Sequence, residues 1–255
     1  RPRIGRRVKR FWAALGVMGW AAAPVQAETC ETLSYNGTGY TLCHVDLTQD
    51  RLELFLYDAD GKPHGYFNTL NTALKTRGAQ LGFAMNAGMY HDTRAPVGYY
   101  LENGKEYQQV ISSDGPGNFG LLPNGVLCLR DGRADVIETK AFLRDAPDCR
   151  SATQSGPMLV IDGKMHPRFL KDGTSRYIRN GVGTSADGKR AVFAISNETV
   201  NFYDFALLFR DHLKLPNALY FDGNISRMRA PDLDRNDLGF SALGPIIGVV
   251  KPDAP

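Results

Sequence analysis

Residues 201–226 read NFYDFALLFRDHLKLPNALYFDGNIS, and two periodicities meet within this one stretch. Phe202, Phe205, Ala206, Phe209 and Leu213 recur at three- and four-residue steps, which gathers an apolar stripe on one face of a helix. Asn201 followed by Asp204 resembles a capping box and Pro216 stops the run, so the spacing predicts a helix over 201–213. The helix feeds a short apolar strand that ends abruptly in Asp222-Gly223. A strand that delivers a carboxylate to its C-terminal end is a common way to build an active site. Asp-Gly is also the commonest hairpin dipeptide, and at this point both readings stand.

Outward from this stretch the chain is strand and turn. Tyr40 to Leu47 and Leu52 to Tyr57 alternate apolar and polar side chains, and Asp60-Gly61 follows as a turn. Further turn dipeptides fall at Asn103-Gly104, Asn124-Gly125, Asp131-Gly132, Asp162-Gly163, Asp172-Gly173 and Asp187-Gly188. Leu121 to Val136 reads as two hairpins in succession, and Pro157 to His166 and Val182 to Ile195 as two more. Phe240 to Val250, interrupted by Gly244-Pro245, closes the sheet. The expectation is an α+β fold, a single domain with mixed, mostly antiparallel sheets and flanking helices. No repeat or long linker indicates a second domain.

Arg1, Arg3, Arg6, Arg7, Lys9 and Arg10 precede an apolar run from Phe11 to Ala23, and Val25-Gln26-Ala27 follows. That is the pattern of a secretory signal peptide over 1–27, leaving a domain over 28–255 and an exported, periplasmic or secreted protein. Removing those six basic residues from 30, and none of the 27 acidic ones, turns the net charge from +3 to −3. The basic balance belongs to the leader, so nucleic acid and an anionic membrane surface are set aside as partners, and no stable membrane insertion is expected once the leader is removed. Cys30, Cys43, Cys128 and Cys149 are an even set in an oxidising compartment, and sequence proximity favours Cys30 with Cys43 and Cys128 with Cys149. No Cys-x-x-Cys or His-Glu-x-x-His spacing points to a metal site, and no Gly-rich phosphate loop points to a nucleotide; no cofactor is expected.

The chemistry candidates are few. Asn86 ends a small apolar strand just before Gly88 and is suited to hydrogen-bond a polar ligand or to cap a turn. Arg179 stands beside Asn180-Gly181 and Gly183, where a guanidinium can pair with a phosphate or carboxylate, or simply form a surface ion pair. Ser155, in Gln154-Ser155-Gly156-Pro157, lacks the Gly-x-Ser-x-Gly context of a nucleophile and reads as a hydrogen-bonding residue. Glu198, just before the predicted helix, is a spare acid or base, or a helix-start glutamate serving the dipole.

Five segments occur in a telling order: Asn86-Ala87-Gly88-Met89-Tyr90; Gly117-Asn118-Phe119 with Pro123-Asn124-Gly125-Val126; Gln154 to Val160; Arg179-Asn180-Gly181-Val182-Gly183; and Ala218 to Ser226. Together they resemble the phosphodiester glycosidase family, over about Tyr40 to Val250. The resemblance implies a mixed α+β domain that hydrolyses the bond between a sugar's anomeric carbon and a phosphodiester oxygen. It also implies a carbohydrate or glycan phosphodiester partner and a pocket built from Asn86, Gly88, Ser155, Gly156, Arg179, Asp222, Gly223 and Ser226. In that reading Arg179 holds the phosphate and Asp222 faces the anomeric carbon, while Asn86 and Ser226 hold sugar or phosphate oxygens. Asn224-Ile225 stands where the eukaryotic branch carries glycines, so the substrate is not transferred with the motif. A glycan-binding envelope protein using the same pocket without turnover is the alternative.

Overall fold

Asn217–Asp222 is strand β14, and each of its faces meets a different apolar layer. Leu219 and Phe221 point into one core with Phe83, Phe193 and Ile247, whereas Ala218 and Tyr220 point into a second with Phe205 and Phe209 of the overlying helix. A strand covered on both sides reads as a continuous apolar run rather than an alternation. This is a computed structural model, and it describes residues 28–253; the expected leader lies outside them.

Three sheets share the first core. The seven-stranded sheet runs β1 (Thr29–Tyr35), β2 (Thr38–Asp46), β13 (Arg190–Ser196), β12 (Asn180–Thr184), β14, β10 (Met158–Ile161) and β11 (Lys164–Met165). One five-stranded sheet runs β16 (Arg235–Asn236), β15 (Met228–Ala230), β4 (Ala79–Asn86), β17 (Ile246–Pro252) and β3 (Arg51–Phe55). The other runs β6 (Lys105–Gln108), β5 (Tyr100–Glu102), β9 (Ser151–Ser155), β7 (Gly125–Arg130) and β8 (Arg133–Glu138). Every strand pair recorded is antiparallel.

The predicted helix over 201–213 is α3 (Phe202–Leu207) continued by a π-helical turn, Leu208–His212. Asn201 Oδ1 accepts the Asp204 amide at 2.8 Å, so the cap is as the spacing implied. Phe205 and Phe209 are wholly buried, each worth about 2–3 kcal/mol of apolar transfer.

Two further helices escaped the sequence reading. α1 (Phe67–Lys75) buries Phe67, Leu70 and Leu74 against Leu81, Ala84 and Ile246, but no side chain caps its start. α2 (Thr139–Asp145) is two turns long and starts on the Glu138 carboxylate, which accepts the Ala141 amide at 2.9 Å.

Several turns differ from expectation. Asn103-Gly104 and Asp162-Gly163 make hairpins with both residues at positive φ, as the dipeptides predict. Leu121 to Val136 contains one hairpin, β7–β8, because Asn124 is spent inside: its Nδ2 donates to the Phe119 carbonyl and its Oδ1 accepts from Thr139. β2 and β3 do not pair; they enter different sheets. Of Phe240 to Val250, only Ile246 onward is strand, and it sits between β4 and β3 rather than at an edge.

The two disulfides are Cys30–Cys43, directly opposite each other across β1 and β2, and Cys128–Cys149. The second closes a separation of 21 residues. Replacing both of its cysteines by serine is expected to remove about 3 kcal/mol on the chain-entropy account, read as a lower urea midpoint with an equal or steeper slope because the unfolded chain is released.

Candidate active site

Asp222-Gly223 is not a hairpin. The chain leaves β14 at Asp222, crosses through residues 223–227 and enters β15 in a different sheet, so the carboxylate sits where two sheets part. Two buried amides hold the crossing. Asn180 Oδ1 accepts the Asp222 amide at 3.1 Å, and Asn180 Nδ2 donates to Asn86 Oδ1 at 2.9 Å. Asn86 Oδ1 also accepts the Arg227 amide at 2.9 Å, and its Nδ2 donates to the Ile225 carbonyl at 2.7 Å. One asparagine from β4 and one from β12 thus clamp both ends of the loop, with no exposed surface on either. Fully satisfied buried polar pairs of this kind specify a single arrangement, because losing one partner strands the other.

Within that clamp Asp222 Oδ1 accepts the Gly223 amide at 2.6 Å and the Asn224 amide at 3.0 Å. Burial pushes the carboxyl above the ordinary aspartate range, and the amides of Asn224, Gly223 and Ile225 oppose it. Gly223 is required by space: a Cβ there would lie 2.1 Å from Tyr220 Oη.

Asp222 and Gly223 line a cleft of about 460 Å³ together with Met89, Tyr90, Asn118, Ser175, Tyr177, Tyr220 and Asn224. Gly88, at φ +114°, turns the chain out of β4 so that Met89 and Tyr90 reach this wall. Asp222 is the one carboxylate among the lining residues.

Arg179 lies behind the cleft, with 0% of its surface exposed. Its Nε donates to the Val200 carbonyl at 2.8 Å and its Nη2 to the Ser175 carbonyl at 2.9 Å. The guanidinium carbon sits 3.7 Å from the centre of the Phe202 ring, with the Tyr220 and Tyr177 rings at 5.3 and 5.4 Å. No carboxylate pairs with it among the described residues, and Nη1 has no hydrogen-bond partner. Tyr220 Oη is buried and likewise unpartnered. Desolvation pushes the guanidinium pKa down and the Tyr220 phenol pKa up, and the closeness of the two groups to each other opposes both shifts. Cation–π contacts return about 1–2 kcal/mol each when desolvated, less than the several kcal/mol an ion loses on burial. The site therefore carries positive charge that the protein does not neutralise.

The remaining sequence candidates sit elsewhere. Ser155 Oγ donates to the Phe221 carbonyl at 2.9 Å and is buried beneath β14, and Gly156 packs on Asn124 and the Phe119 carbonyl. Ser226 Oγ is within 3.0 Å of the Asp222 and Ile178 carbonyls, inside the loop rather than on the cleft wall. Ile225 packs inward against the α1 core, so only Asn224 of the Asn224-Ile225 pair faces the cleft. Glu198 is exposed and does not line the cleft. Geometry thus gives Asn86, Ser155 and Ser226 to holding the loop and strand ends. Asn180, Ser175, Tyr177 and Tyr220, none of them singled out from sequence, complete the site. Asn180 had a signal, its place between Arg179 and Gly181, whereas the tyrosines had none.

Comparison with known proteins agrees with this architecture. A sequence profile described as phosphodiester glycosidase matches residues 79–248. The uncharacterised protein YigE of Escherichia coli (strain K12) is 34% identical over 227 residues, covering 88% of this chain and 86% of that protein. Among solved structures, the zebrafish N-acetylglucosamine-1-phosphodiester alpha-N-acetylglucosaminidase catalytic domain, auto-inhibited by its pro-peptide, superposes with a TM-score of 0.57 at 12% identity. That match covers 87% of this chain and 81% of the zebrafish chain. A hypothetical protein from Synechocystis gives 0.53 at 12% identity over 87% of this chain and 61% of its own. At such identities the structural likeness speaks for the fold. The profile span contains Asn86, Arg179, Asn180 and Asp222, and the chain belongs to the phosphodiester glycosidase family.

Proposed function

We propose that the protein is an exported hydrolase that cleaves the bond between a sugar's anomeric carbon and a phosphodiester oxygen. The observation that carries this reading is the pairing of one half-buried carboxylate at the cleft with a buried arginine that no carboxylate neutralises behind the same wall. In the reaction, water adds at the anomeric carbon, the carbon–oxygen bond breaks, and the phosphate monoester departs with the bonding electrons. Asp222 is the carboxylate on the anomeric side, where positive charge develops in an oxocarbenium-like transition state. Arg179 supplies the field for the departing phosphate: a unit charge ~6 Å away acts with ~3 kcal/mol at an effective dielectric of ~20. A phosphate monoester is a better leaving group than a sugar alcohol, so a second carboxylic acid is less necessary here than in ordinary glycosidases. Two disulfides and the basic-then-apolar leader pattern support export.

The test is incubation of the purified protein with a panel of sugar-1-phosphodiesters, followed by phosphorus NMR. Monoester release is the expected result, and none across the panel would refute hydrolysis. The activity should also fall in acid. Asp222 works ionised and burial raises its pKa, so kcat/KM is expected to drop as pH falls through a value above the ordinary ~3.9 of aspartate. An acid limb at or below that value would remove Asp222 from the role.

A second reading is favoured by the single carboxylate on the cleft wall, since most glycosidases use two. In it the pocket binds glycan phosphate without turnover, and saturable binding with no product would select it.

A further inference from the structure

Six large apolar side chains are exposed among the described residues: Tyr66, Leu143, Leu170, Tyr177, Leu238 and Phe240. Leu170 and Tyr177 belong to a loop that borders the cleft, whereas Tyr66 and Leu238 line a neighbouring hollow beside Arg227, with Phe240 on the same loop as Leu238. Leu170 and Tyr177 lie on the 166–177 loop, which supplies Ser175 and Tyr177 to the cleft wall. Leu238 and Phe240 lie on the 237–243 loop, which meets the cleft through Tyr90: Tyr90 Oη donates to the Ala242 carbonyl, and Gly244 packs on its ring.

Neither loop is loosely held. Arg227 Nη1 donates to the Ser241 carbonyl at 2.7 Å, Tyr66 Oη to the Phe240 carbonyl at 3.2 Å, and the Leu243 amide to the Gly65 carbonyl at 2.7 Å. Across the cleft, Asn201 Nδ2 donates to the Lys171 carbonyl at 3.0 Å and the Gly173 amide to the Leu170 carbonyl at 3.0 Å. Leu170 nevertheless remains 73% exposed, Leu238 78%, and Phe240 fully so. Backbone fixed by hydrogen bonds while apolar side chains stand in solvent is the form of a contact surface rather than of a frayed loop.

The charge on the first loop runs against that of the whole molecule, while the 237–243 loop itself carries only Asp237. Arg168, Lys171 and Arg176 are exposed on the first loop against Asp172, and Arg227 stands beside the second. Arg168 and Lys171 form no ion pair among those recorded, and Arg176 reaches Asp204 only at 3.9 Å. Asp237 on the second loop is paired with Arg235. The residues after the leader carry a net −3, so local positive charge here is a concentration and not a sample of the average.

We propose that the two cleft rims dock on an anionic lipid surface, so that the hydrolase takes sugar phosphodiesters presented at a membrane. The substrate clause rests on the proposed hydrolytic function; the docking clause does not. Leucine and aromatic tips enter the headgroup boundary, and each nearby Lys or Arg adds about 1 kcal/mol against an anionic leaflet. Composition had set an anionic membrane surface aside as a partner; reversible docking through clustered surface residues escapes an average taken over the chain.

The experiment is co-sedimentation of the processed protein with phosphatidylcholine vesicles, pure or with 30 mol% phosphatidylglycerol, roughly the anionic content at which such patches bind. Turnover of a soluble sugar-1-phosphodiester is followed alongside. Partition is expected to be stronger on the anionic vesicles and to fall about tenfold in the double variant Leu238→Ser and Phe240→Ser. Arg168→Glu with Lys171→Glu should give a similar loss, and soluble turnover should stay within twofold of wild type. No binding to anionic vesicles, or binding that all these variants retain, overturns the docking. Vesicle binding without turnover of any substrate leaves docking in place and removes the hydrolytic reading. Because the substituted side chains are exposed, unchanged thermal midpoints are expected and are measured on the same samples.

Discussion

Asp222→Asn is expected to lower kcat for a sugar-1-phosphodiester by about 10³-fold or more, the scale seen when one member of a catalytic constellation is removed. The substitution is nearly isosteric. Its amide oxygen can still accept from the Gly223 and Asn224 amides, so the loop clamped by Asn86 and Asn180 keeps its course. Only the charge proposed to face the anomeric carbon disappears. The stability effect should have the opposite sign. Asp222 titrates higher in the folded protein than in the unfolded chain, so its contribution is favourable below the unfolded value and is lost as pH rises through the folded one. At neutral pH the ionised carboxylate costs stability, and the neutral amide does not. The variant's melting temperature should therefore match or exceed that of wild type at pH 7, with any gain shrinking in acid as wild type protonates. A variant that retains full turnover removes Asp222 from catalysis, and one that unfolds shows the carboxylate to be structural.

Arg179→Met is expected to cost about 10²–10³-fold in kcat/KM on phosphodiester substrates, the scale of losing one electrostatic stabiliser of a developing anion. It should act far less on simple aryl glycosides, whose leaving group carries no phosphate. Methionine is chosen because it fills the space between Phe202, Tyr177 and Tyr220 with a thioether that packs well on aromatic rings. It gives up the bonds to the Val200 and Ser175 carbonyls, each worth about 1 kcal/mol, and also removes the desolvation cost of a cation with no counter-ion. Chemical denaturation should therefore shift by no more than about 2 kcal/mol. Equal losses on phosphodiesters and aryl glycosides would end the phosphate role, because a merely structural arginine has no reason to distinguish the two. Phosphate-dependent protection against thermal unfolding reads the same role without catalysis: its loss in the variant supports the role, and its retention would end it.

How far sequence reaches can be judged at particular residues. The 201–213 helix and the β10–β11 hairpin were legible because their signals are local: a 3.6-residue stripe with a cap, and a turn dipeptide able to take positive φ. α1 was not, since its apolar positions lie among Asn and Thr and no side chain caps it; packing of Phe67, Leu70 and Leu74 on β4 and β17 stabilises it. The Asn124-Gly125 hairpin failed for a related reason. The same asparagine that favours a turn in isolation found buried partners in Phe119 and Thr139.

The candidate site divides along the same line. Residue type and order made Asp222, Arg179 and Asn86 candidates, because a carboxylate at a strand end and a guanidinium beside glycines have chemistry that does not depend on context. Their roles did depend on it. Ser155, Ser226 and Asn86 carry groups that suit a ligand or a backbone carbonyl equally well, and only the folded arrangement gives them carbonyls and amides. Tyr220 gave no sign of a site, since an aromatic in an apolar run reads as core, and Tyr177, among polar neighbours, reads as surface.

From its own residues the chain therefore determined a turn-rich α+β sheet protein, a leader-like first segment, an even cysteine set and an aspartate at a strand end. Tertiary structure decided that this strand end is the point where one sheet hands the chain to another. It also decided that Arg179 stands buried and unneutralised behind the same wall. Local preference fixes backbone turns and helical stripes within a few residues, whereas burial, pairing and pKa arise from neighbours that sequence places far apart, 94 residues for Asn86 with Asn180 and 141 for Asn86 with Arg227.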